Sequence, residues 1–265
     1  GSNPMIRSLY TASTGMYAQQ MNVDTLAHNM SNVTTTGFKR QRIEFQDLLY
    51  QNIRRPIANE EVNQPSGLAV GLGVHPVTSY TLFTQGNLQE TGNPMDIAIN
   101  GNAFFRVEVP GYDDYVYTRD GSIKIDAEGN LVTSDGYYYV GPDALDPEAY
   151  DIAIESNGMV TYKLPGDEEI YEAGQLELAT FVNPAGLEKL GQNLYQVTWN
   201  SGDPVDWDPE DNQSIRLVSG YLEASNVQIV EEMVNLITAQ RAYEMNSKVI
   251  QSSDEMLQTA ANLRR

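Results

Sequence analysis

The sequence contains no cysteine and only two histidines among its 265 residues. Without cysteine, disulfide bonds and thiolate metal sites are excluded. His28 and His75 stand apart from candidate nucleophiles and from other metal-binding residue types, which argues against a catalytic triad or a histidine-rich metal site. Gly71-Leu72-Gly73 lacks the remaining residues of a nucleotide-binding loop. These residues indicate no metal site, no cofactor site and no histidine-based or nucleotide-dependent enzyme, and our prediction is a protein that is not an enzyme, with the acidic residues considered below.

Long apolar runs are also missing. No stretch approaches the roughly 18 consecutive apolar residues that a membrane-spanning helix requires, so no membrane span is predicted. The first residues lack the basic and apolar pattern of a secretory signal peptide, and we expect that export, if it occurs, uses no cleaved signal. Residues 1–4 precede Met5 and are interpreted as a remnant of expression cloning, with Met5 as the natural start.

Basic residues are scarce, because 16 Lys and Arg stand against 36 Asp and Glu, a net charge of −20. Residues 1–60 hold six basic and four acidic residues, and residues 221–265 hold four and six, so the two ends together are neutral. Residues 61–220 hold six basic and 26 acidic residues and carry the whole net charge. Nucleic acid is disfavoured as a partner, since its binding needs clustered Lys and Arg. An acidic surface suits a solvated exterior or a basic partner.

The N-terminal region has a seven-residue apolar repeat. Leu9, Met16, Val23 and Met30 are spaced by seven, and Leu26 lies three residues after Val23, as in the a and d positions of a coiled coil. The repeat predicts a helix over about 6–34. A glycine in a helix interior costs about 1 kcal/mol relative to alanine, so Gly15 is expected where another backbone approaches closely.

The C-terminal region repeats this design over a longer stretch. A capping-box pattern at Ser225–Gln228 predicts the helix start, and a helix continuing to Arg264 would have about 39 residues and a length of about 58 Å. Apolar residues spaced by seven run through the region: Leu222, Ile229, Leu236, Tyr243, Ile250 and Leu257. We refer to these residues, together with Leu9, Met16, Val23, Leu26 and Met30, as the apolar seam.

Alternating apolar residues and turn dipeptides between the two helical regions predict β-structure. Phe105 to Val109 alternates cleanly, and Asp135-Gly136 is a tight-turn signal. The fold class is therefore α+β: long N- and C-terminal helices that pair as a coiled-coil-like domain, with a mostly antiparallel β domain between them. The segment from Gln51 to Pro76 is rich in Asn, Gln, Pro and Gly and is predicted to be an extended connection.

The acidic residues leave alternatives open. The segment from Asp126 to Asn130 resembles the opening of a calcium loop, but its glycine comes too early and no glutamate completes the spacing, so a hairpin turn is favoured. A carboxylate pair of a carbohydrate hydrolase could lie among the 26 acidic residues of the middle region. An adhesin built on a coiled-coil stalk is a further alternative.

Several sequence blocks resemble the bacterial flagellar rod and hook proteins. The first is Met5-Ile6-Arg7-Ser8-Leu9 followed by residues 27–40, AHNMSNVTTTGFKR, in which His28 and Ser31 depart from the commonest form of the motif. The likeness continues through residues 85–88 (QGNL), 96–105 (DIAINGNAFF), 117–121 (YTRDG), 220–227 (GYLEASNV) and 240–248 (QRAYEMNSK). These blocks cover both ends and much of the middle.

The resemblance implies a structural subunit that assembles into a hollow helical tube. Within the family, the length and the segments 47–51 and 65–68 are most similar to distal rod members, with a proximal rod paralogue or a hook-type subunit as the alternatives. The resemblance also implies that the tube is a drive shaft that transmits torque. It further implies that the chain is exported by the flagellar apparatus and lies in the periplasmic part of the basal body. Implied partners are further copies of the chain, proximal rod and hook subunits, and the surrounding bushing rings.

The expected organisation is an inner helical domain, residues 5–50 and 219–265, an extended connection at 51–84, and an outer acidic β domain at 85–218. The apolar seam is the expected assembly interface. The family motif is expected to form a turn through Asn29, Asn32, Gly37, Phe38 and Lys39. Gly37 would end the helix, Phe38 would anchor the turn, and Lys39 would lie where neighbouring subunits contact it.

Overall fold

The computed structural model describes residues 4–47, 51–52, 69–70 and 74–264. These residues form two α-helices, α1 Pro4–Ser31 and α2 Ile229–Leu263, with twenty short strands between them. Every strand pair with a defined register is antiparallel. The predicted α+β class with a mostly antiparallel middle is therefore confirmed.

The strands are numbered in chain order. They are β1 Gln41–Asp47, β2 Gln51–Asn52, β3 Ala69–Val70, β4 Val74–Thr81, β5 Leu88–Glu90, β6 Ile97–Asn100, β7 Phe104–Glu108, β8 Val116–Thr118, β9 Lys124–Ile125, β10 Leu131–Val132, β11 Tyr138–Tyr139, β12 Tyr150–Ile154, β13 Met159–Lys163, β14 Ile170–Gln175, β15 Leu178–Thr180, β16 Glu188–Gly191, β17 Leu194–Gln196, β18 Val205–Asp206, β19 Arg216–Ser219 and β20 Tyr221–Glu223.

The chain divides into two compact units. The helical unit contains α1, α2 and the described residues of Gln41–Tyr80. The β unit contains Ser31–Arg40 and Thr81–Gln228. The short segment that follows α1 therefore belongs to the β unit, although the chain leaves that unit again at residue 41.

Helix α1 ends at Ser31, three residues before the predicted end. The backbone N–H and the hydroxyl of Thr35 donate to the carbonyl and side-chain oxygens of Asn32, both over 3.1 Å. Short polar side chains that bond locally favour turns over helix interiors. Gly37, with φ +68°, serves this later turn, so the prediction that it ends the helix is wrong.

Helix α2 begins at Ile229, beyond the predicted cap at Ser225–Gln228, and its 35 residues span about 52 Å. The Ser225 hydroxyl accepts the N–H of Val227 over 3.2 Å, which forms a local turn before the helix. Leu222 was predicted to belong to the apolar repeat of this helical region, but it lies in β20, which pairs with β5. The seven-residue spacing of apolar residues continues into β20, because a repeat period does not show where a helix starts.

The two helices contact each other and run in opposite directions. The Asn29 amide in α1 donates to the Glu232 carboxylate in α2 over 3.5 Å. Gly15 lies fourteen residues earlier in α1, and a Cβ added there would be 2.9 Å from the side-chain nitrogen of Asn246, fourteen residues later in α2. Gly15 thus marks the close approach of a side chain and not, as predicted, of another backbone. The helices stay in antiparallel register between these two contacts.

The β unit is built on one large antiparallel sheet. Its strands follow the order β16-β17-β8-β7-β11-β10-β9, and β15 pairs with both β7 and β18. Strands β12, β13 and β14 form a separate three-stranded sheet, and β6 with β19 and β5 with β20 form two ribbons. The two ribbons pair residues 216–223 with residues 88–100, so a late part of the β unit is hydrogen-bonded to an early part.

The core of the β unit contains the alternating residues that the sequence predicted. Phe105, Val107 and Val109 are buried, whereas Glu108 between them is exposed. The main core cluster also draws on β6, β8 and the three-stranded sheet. Its fully buried members include Ile97, Ile99, Val116 and Val160.

The calcium-loop alternative is contradicted by the turn at Asp126. One carboxylate oxygen of Asp126 accepts the backbone N–H groups of Glu128 and Asn130 over 3.0 and 2.8 Å. Gly129 has φ +89°, which suits a glycine in a tight turn. The predicted hairpin turn is confirmed, with β9 and β10 on either side.

The predicted connection over 51–84 lies partly outside the described residues, at 53–68 and 71–73. In its described part, β2 pairs with β3, and β4 pairs with β1. Strands β2 and β3 run antiparallel to each other. His75 lies in β4.

Gly121→Ala tests how closely the β unit is packed. A Cβ at residue 121 would lie 1.5 Å from the carbonyl oxygen of Ile97, so the backbone of β6 would have to move. We expect this variant to lose about 3 kcal/mol or more of unfolding free energy. Gly166→Ala, where φ is +80° and no atom lies within 4 Å, should cost only about 1–2 kcal/mol. Urea denaturation followed by circular dichroism compares them, and equal losses would contradict the packing argument.

Candidate functional site

The predicted seam residues of the helical unit are incompletely covered. Leu26 is buried, while the other α1 members, Leu9, Met16, Val23 and Met30, are half-buried. In α2, Leu236, Ile250 and Leu257 are half-buried, and Ile229 and Tyr243 remain 46% and 37% exposed. The residues that the helices bury most completely are instead mainly small or polar: Ala12, Ala18, Leu26, Asn29, Glu232, Ala239 and Ser253.

Asn29 and Asn32 of the family motif act at the end of α1. The side chain of Asn29 is buried and bonds both backbone groups of Gln41, because its amide donates to the carbonyl over 2.8 Å and its oxygen accepts the N–H over 2.9 Å. Asn32 holds the turn through Thr35. Asn29 and Asn32 therefore fix the local backbone through hydrogen bonds. The sequence had predicted only that they lie in a turn.

The central feature of the β unit is a buried carboxylate, that of Glu223. The side-chain ammonium of Lys39 donates to one of its oxygens, which also accepts the backbone N–H of Gly86 over 2.9 Å. The guanidinium of Arg119 approaches the other oxygen at 2.8–2.9 Å. Lys39, Arg119 and Glu223 are 0%, 3% and 1% exposed. We call Lys39, Gly86, Arg119 and Glu223 the Glu223 cluster.

The position of Lys39 overturns one prediction. Lys39 was expected to face neighbouring subunits, but its ammonium is enclosed in its own chain and also donates to the carbonyl of Thr84 over 2.8 Å. Burial, reinforced by the positive charge of Arg119 and opposed by Glu223, lowers the pKa of Lys39 from 10.5 to about 8. Lys39 is therefore still mainly protonated at neutral pH and neutralises the carboxylate.

Arg119 donates hydrogen bonds to backbone carbonyl groups around the Glu223 cluster as well as to the carboxylate. Its guanidinium donates to the carbonyl oxygens of Gly101 and Ala103 over 2.6 and 2.7 Å, and to that of Ile99 over 3.2 Å. The planar fork of arginine offers five donors, which suits a buried site with many acceptors. A single side chain thus links β6, the start of β7 and β20.

Backbone bonds tie the segment after α1 to the segment before α2. The N–H of Gly37 donates to the carbonyl of Glu223 over 2.8 Å, and the N–H of Asn226 donates to that of Phe38 over 3.2 Å. The Asn226 side chain accepts the N–H of Arg40 over 2.7 Å and donates to the carbonyl of Leu82 over 2.8 Å. Asn226 therefore forms hydrogen bonds within the β unit and is not part of helix α2.

A hairpin formed by β16 and β17 holds the turn from the other side. The Asn193 amide donates to the carbonyl of Thr36 over 3.1 Å. The Lys189 ammonium lies 4.1 Å from the centre of the Phe38 ring, which is buried as expected for an anchor, and it has no hydrogen-bond partner among the described residues. A cation over an aromatic face contributes about 0.5–2 kcal/mol. Burial lowers the pKa of Lys189 from 10.5 to about 8.

Five of the sequence blocks that resemble flagellar proteins meet at this cluster. Lys39 comes from the first block, Gly86 from QGNL, Ala103 from DIAINGNAFF, Arg119 from YTRDG and Glu223 from GYLEASNV. The sequence alone did not show that residues of these blocks contact one another. A signal was nevertheless present, because Arg119 directly follows the β-prone pair Tyr117-Thr118 and Glu223 directly follows Tyr221-Leu222, so that each charge lies at or just after the end of a strand.

Two acidic residues converge on a second cation, Arg106, beside a cavity of about 210 Å³ that Trp207 also lines. Arg106 donates to Glu177 over 3.0 Å and to Asp206 over 2.6 Å. A glycosidase needs one of its two carboxyl groups protonated as the acid. Both carboxylates here form ion pairs with the same guanidinium, which is not the arrangement of two carboxyl groups that flank a glycosidic bond.

Glu223→Ala tests the cluster. The variant leaves Lys39 and Arg119 as buried cations without their carboxylate, and we expect the unfolding free energy to fall by about 3–5 kcal/mol. Lys163→Ala removes the exposed ion pair with Asp151 and should cost less than about 1 kcal/mol. Urea denaturation of both variants provides the comparison, and a loss below 1 kcal/mol for Glu223→Ala would argue against the cluster.

The pH dependence of stability tests Lys189. Between pH 8 and 10.5 the folded chain has released the Lys189 proton while the unfolded chain keeps it, so unfolding takes up a proton and rising pH favours the folded state. The stability of the wild-type chain should therefore rise with pH relative to Lys189→Met across this window. Lys189→Arg, whose side chain stays charged, should give the same relative rise. A constant difference from both variants would contradict the burial of this ammonium.

Comparison with known proteins gives matches along the whole chain. Family models described as "Flagella basal body rod protein", "Flagellar hook protein FlgE/F/G D1 domain" and "Flagellar basal body rod FlgEFG protein C-terminal" match residues 9–39, 98–162 and 218–263. The first contains the motif turn and Lys39, the second Arg119, and the third Glu223. The resemblance to flagellar rod and hook proteins is thereby confirmed.

Individual relatives extend the likeness over the full length. The chain is 45% identical to the flagellar basal-body rod protein FlgG of Buchnera aphidicola subsp. Schizaphis graminum and 48% identical to that of Borreliella burgdorferi. It is 36% identical to the protein of the same name from Bacillus subtilis. Each comparison covers 98% of this chain and all of the relative. The chain therefore belongs to the FlgG family of flagellar basal-body rod proteins.

Proposed function

We propose that this chain is a structural subunit of the flagellar distal rod. Copies associate through helices α1 and α2 into a hollow helical drive shaft that transmits torque from the motor to the hook. Family membership supports the role of a rod subunit. The observation that supports assembly through the helices is the apolar seam, which the chain does not cover by itself.

The contacts between α1 and α2 explain why the seam stays open. The helices meet through Gly15 and Asn246, and through Asn29 and Glu232, which are small or polar residues. Small residues let helices approach closely but bury little apolar area. The neighbouring seam residues therefore remain available to other helices, and a coiled-coil-like packing of several copies would cover them.

Covering the seam supplies enough association energy. Fully burying one large apolar side chain contributes about 1.5–3 kcal/mol, and the ten seam residues of the two helices are only partly buried in the single chain, apart from Leu26. Part of this gain is offset by the lost freedom of the associating chains. A heterologous contact that does not close on itself then propagates into a helical assembly.

Charge supports the arrangement proposed for the assembly. The neutral terminal residues, 5–50 and 219–265, would form the inner layer, and the acidic region, 85–218, would form the outer layer, with residues 51–84 as the connection. Residues 85–218 hold six basic and 25 acidic residues, so their close packing would be opposed by repulsion, whereas terminal regions with little net charge can pack densely near an axis.

The proposed partners follow from this position. Further copies of the chain form the shaft, proximal rod and hook subunits contact its ends, and the bushing rings surround it in the periplasm. The flagellar export apparatus would deliver the chain to this position. Among the described residues, neither helix is both long and apolar enough to cross a membrane.

An enzymatic role is not favoured. The relatives carry the name of a structural rod protein, and the acidic residues that meet at Arg106 lack the arrangement of a glycosidase. The chain is a structural protein. The proximal rod and hook alternatives are not favoured either, since the three full-length relatives compared above share the name FlgG.

Leu236→Asp tests the assembly. A charge placed in the half-buried seam should prevent polymerisation, because the carboxylate would have to be desolvated between helices. Gln240→Asp adds the same charge at an exposed polar position of α2 and should polymerise like the wild type. Sedimentation velocity and negative-stain microscopy detect polymers, and circular dichroism shows whether the β unit stays folded. Normal polymers of Leu236→Asp would contradict assembly through the seam.

A further inference from the structure

Two apolar patches on the helical unit lie outside the seam and are strongly exposed. The first covers the first two turns of α2 and consists of Val230, Met233, Val234 and Ile237, which are 72%, 48%, 57% and 49% exposed. Their spacing of three and four residues places them on one face of the helix. We call this the α2 patch.

The second patch lies near the start of α1. Ile6, Tyr10 and Tyr17 are 58%, 57% and 61% exposed. They also share one side of their helix, since they are separated by four and seven residues. We call this the α1 patch. Large apolar side chains that are exposed together on one face are typical of interaction surfaces.

The antiparallel register places the two patches at opposite ends of the helix pair. Glu232 lies opposite Asn29, so Val234 lies opposite residue 27. Tyr10 is seventeen residues from that position, which corresponds to about 25 Å along the axis. Within one chain, the α1 patch and the α2 patch therefore cannot cover each other.

The charges beside the patches have opposite signs. Arg7 is the one charged residue between Pro4 and Val23 and lies within the α1 patch segment. Glu231 lies within the α2 patch segment, where the other charged residue, Glu232, is buried. Two copies that brought these patches together would also bring Arg7 of one copy near Glu231 of the next, which favours this pairing over like with like.

We propose that the α2 patch of one copy packs against the α1 patch of a second copy, displaced by about 25 Å along the helix pair. This pairing rests on the proposed function, assembly through the terminal helices, and specifies which faces meet. The occupant is a second copy because the neutral helical unit can approach another copy without the repulsion that the acidic β unit would impose. The two patches differ, so each copy can bind one neighbour with each patch and the contact propagates.

Crosslinking between two different variants tests the pairing. The chain has no cysteine of its own, so Tyr10→Cys in one chain and Val234→Cys in another provide unique thiols. The two full-length variants are mixed, allowed to polymerise and treated with a short bismaleimide. We expect a crosslinked dimer in the pelleted polymer from this mixture. The control mixture pairs Tyr10→Cys with Met256→Cys, a residue that is 61% exposed but lies 22 residues beyond Val234, and it should give no dimer.

The outcomes separate this pairing from the proposed function. Polymers that form without a crosslink between residues 10 and 234, or with an equal crosslink in the control, would overturn the pairing and leave assembly through the helices standing. If the wild-type chain forms no polymer at any concentration, the proposed function fails and the pairing fails with it.

Charge exchange gives a second test that does not depend on cysteine variants. Val234→Lys alone should abolish pelleting of polymer, because it places a cation in the apolar contact and beside Arg7 of the neighbour. Adding Tyr10→Glu in the same chain should restore pelleting, since the two new charges would face each other between copies and lie about 25 Å apart within one. A double variant that stays in the supernatant would count against the pairing.

Discussion

The buried carboxylate of Glu223 is the constraint on which much of the β unit depends. An ionised carboxylate removed from water is costly unless it is paired and hydrogen-bonded. Lys39, Arg119 and the N–H of Gly86 meet this requirement from three distant parts of the chain. The segment after α1 and the segment before α2 can therefore adopt their positions only when the strands between them are folded. The cluster makes these parts of the β unit depend on one another.

The helical unit solves a different problem. Its two helices must stay together in one chain while keeping apolar surface for other copies. Small and polar residues at the helix contact, such as Gly15 and Asn29, meet the first need and leave the larger side chains partly uncovered. A contact rich in leucine would have hidden the seam within the single chain. The charge distribution complements this division, since the acidic residues are concentrated in the middle of the sequence and the two terminal regions, 1–60 and 221–265, are together neutral.

Much of the fold was predictable because local patterns determine it. The seven-residue repeats predicted both helices, and alternation predicted β7 with its buried Phe105 and Val107. Glycine-containing dipeptides predicted the hairpin turns. The errors occurred at helix ends: α1 stops at Ser31 because Asn32 and Thr35 bond locally, and Leu222 belongs to a strand. Period alone cannot place such boundaries, since local hydrogen bonds and strand partners decide them.

The sequence by itself determined the class of the fold, the combined neutrality of the two terminal regions, the acidity of the middle and, through its motif blocks, the resemblance to flagellar rod and hook proteins. These properties are local or additive, so they can be obtained from residue types and spacing. Only the tertiary structure decided that Lys39 is buried against Glu223 and Arg119, and that the helices meet through small and polar residues. Lys39 and Glu223 are 184 positions apart and Asn29 and Glu232 are 203 apart, and no spacing along the chain encodes which distant residues meet.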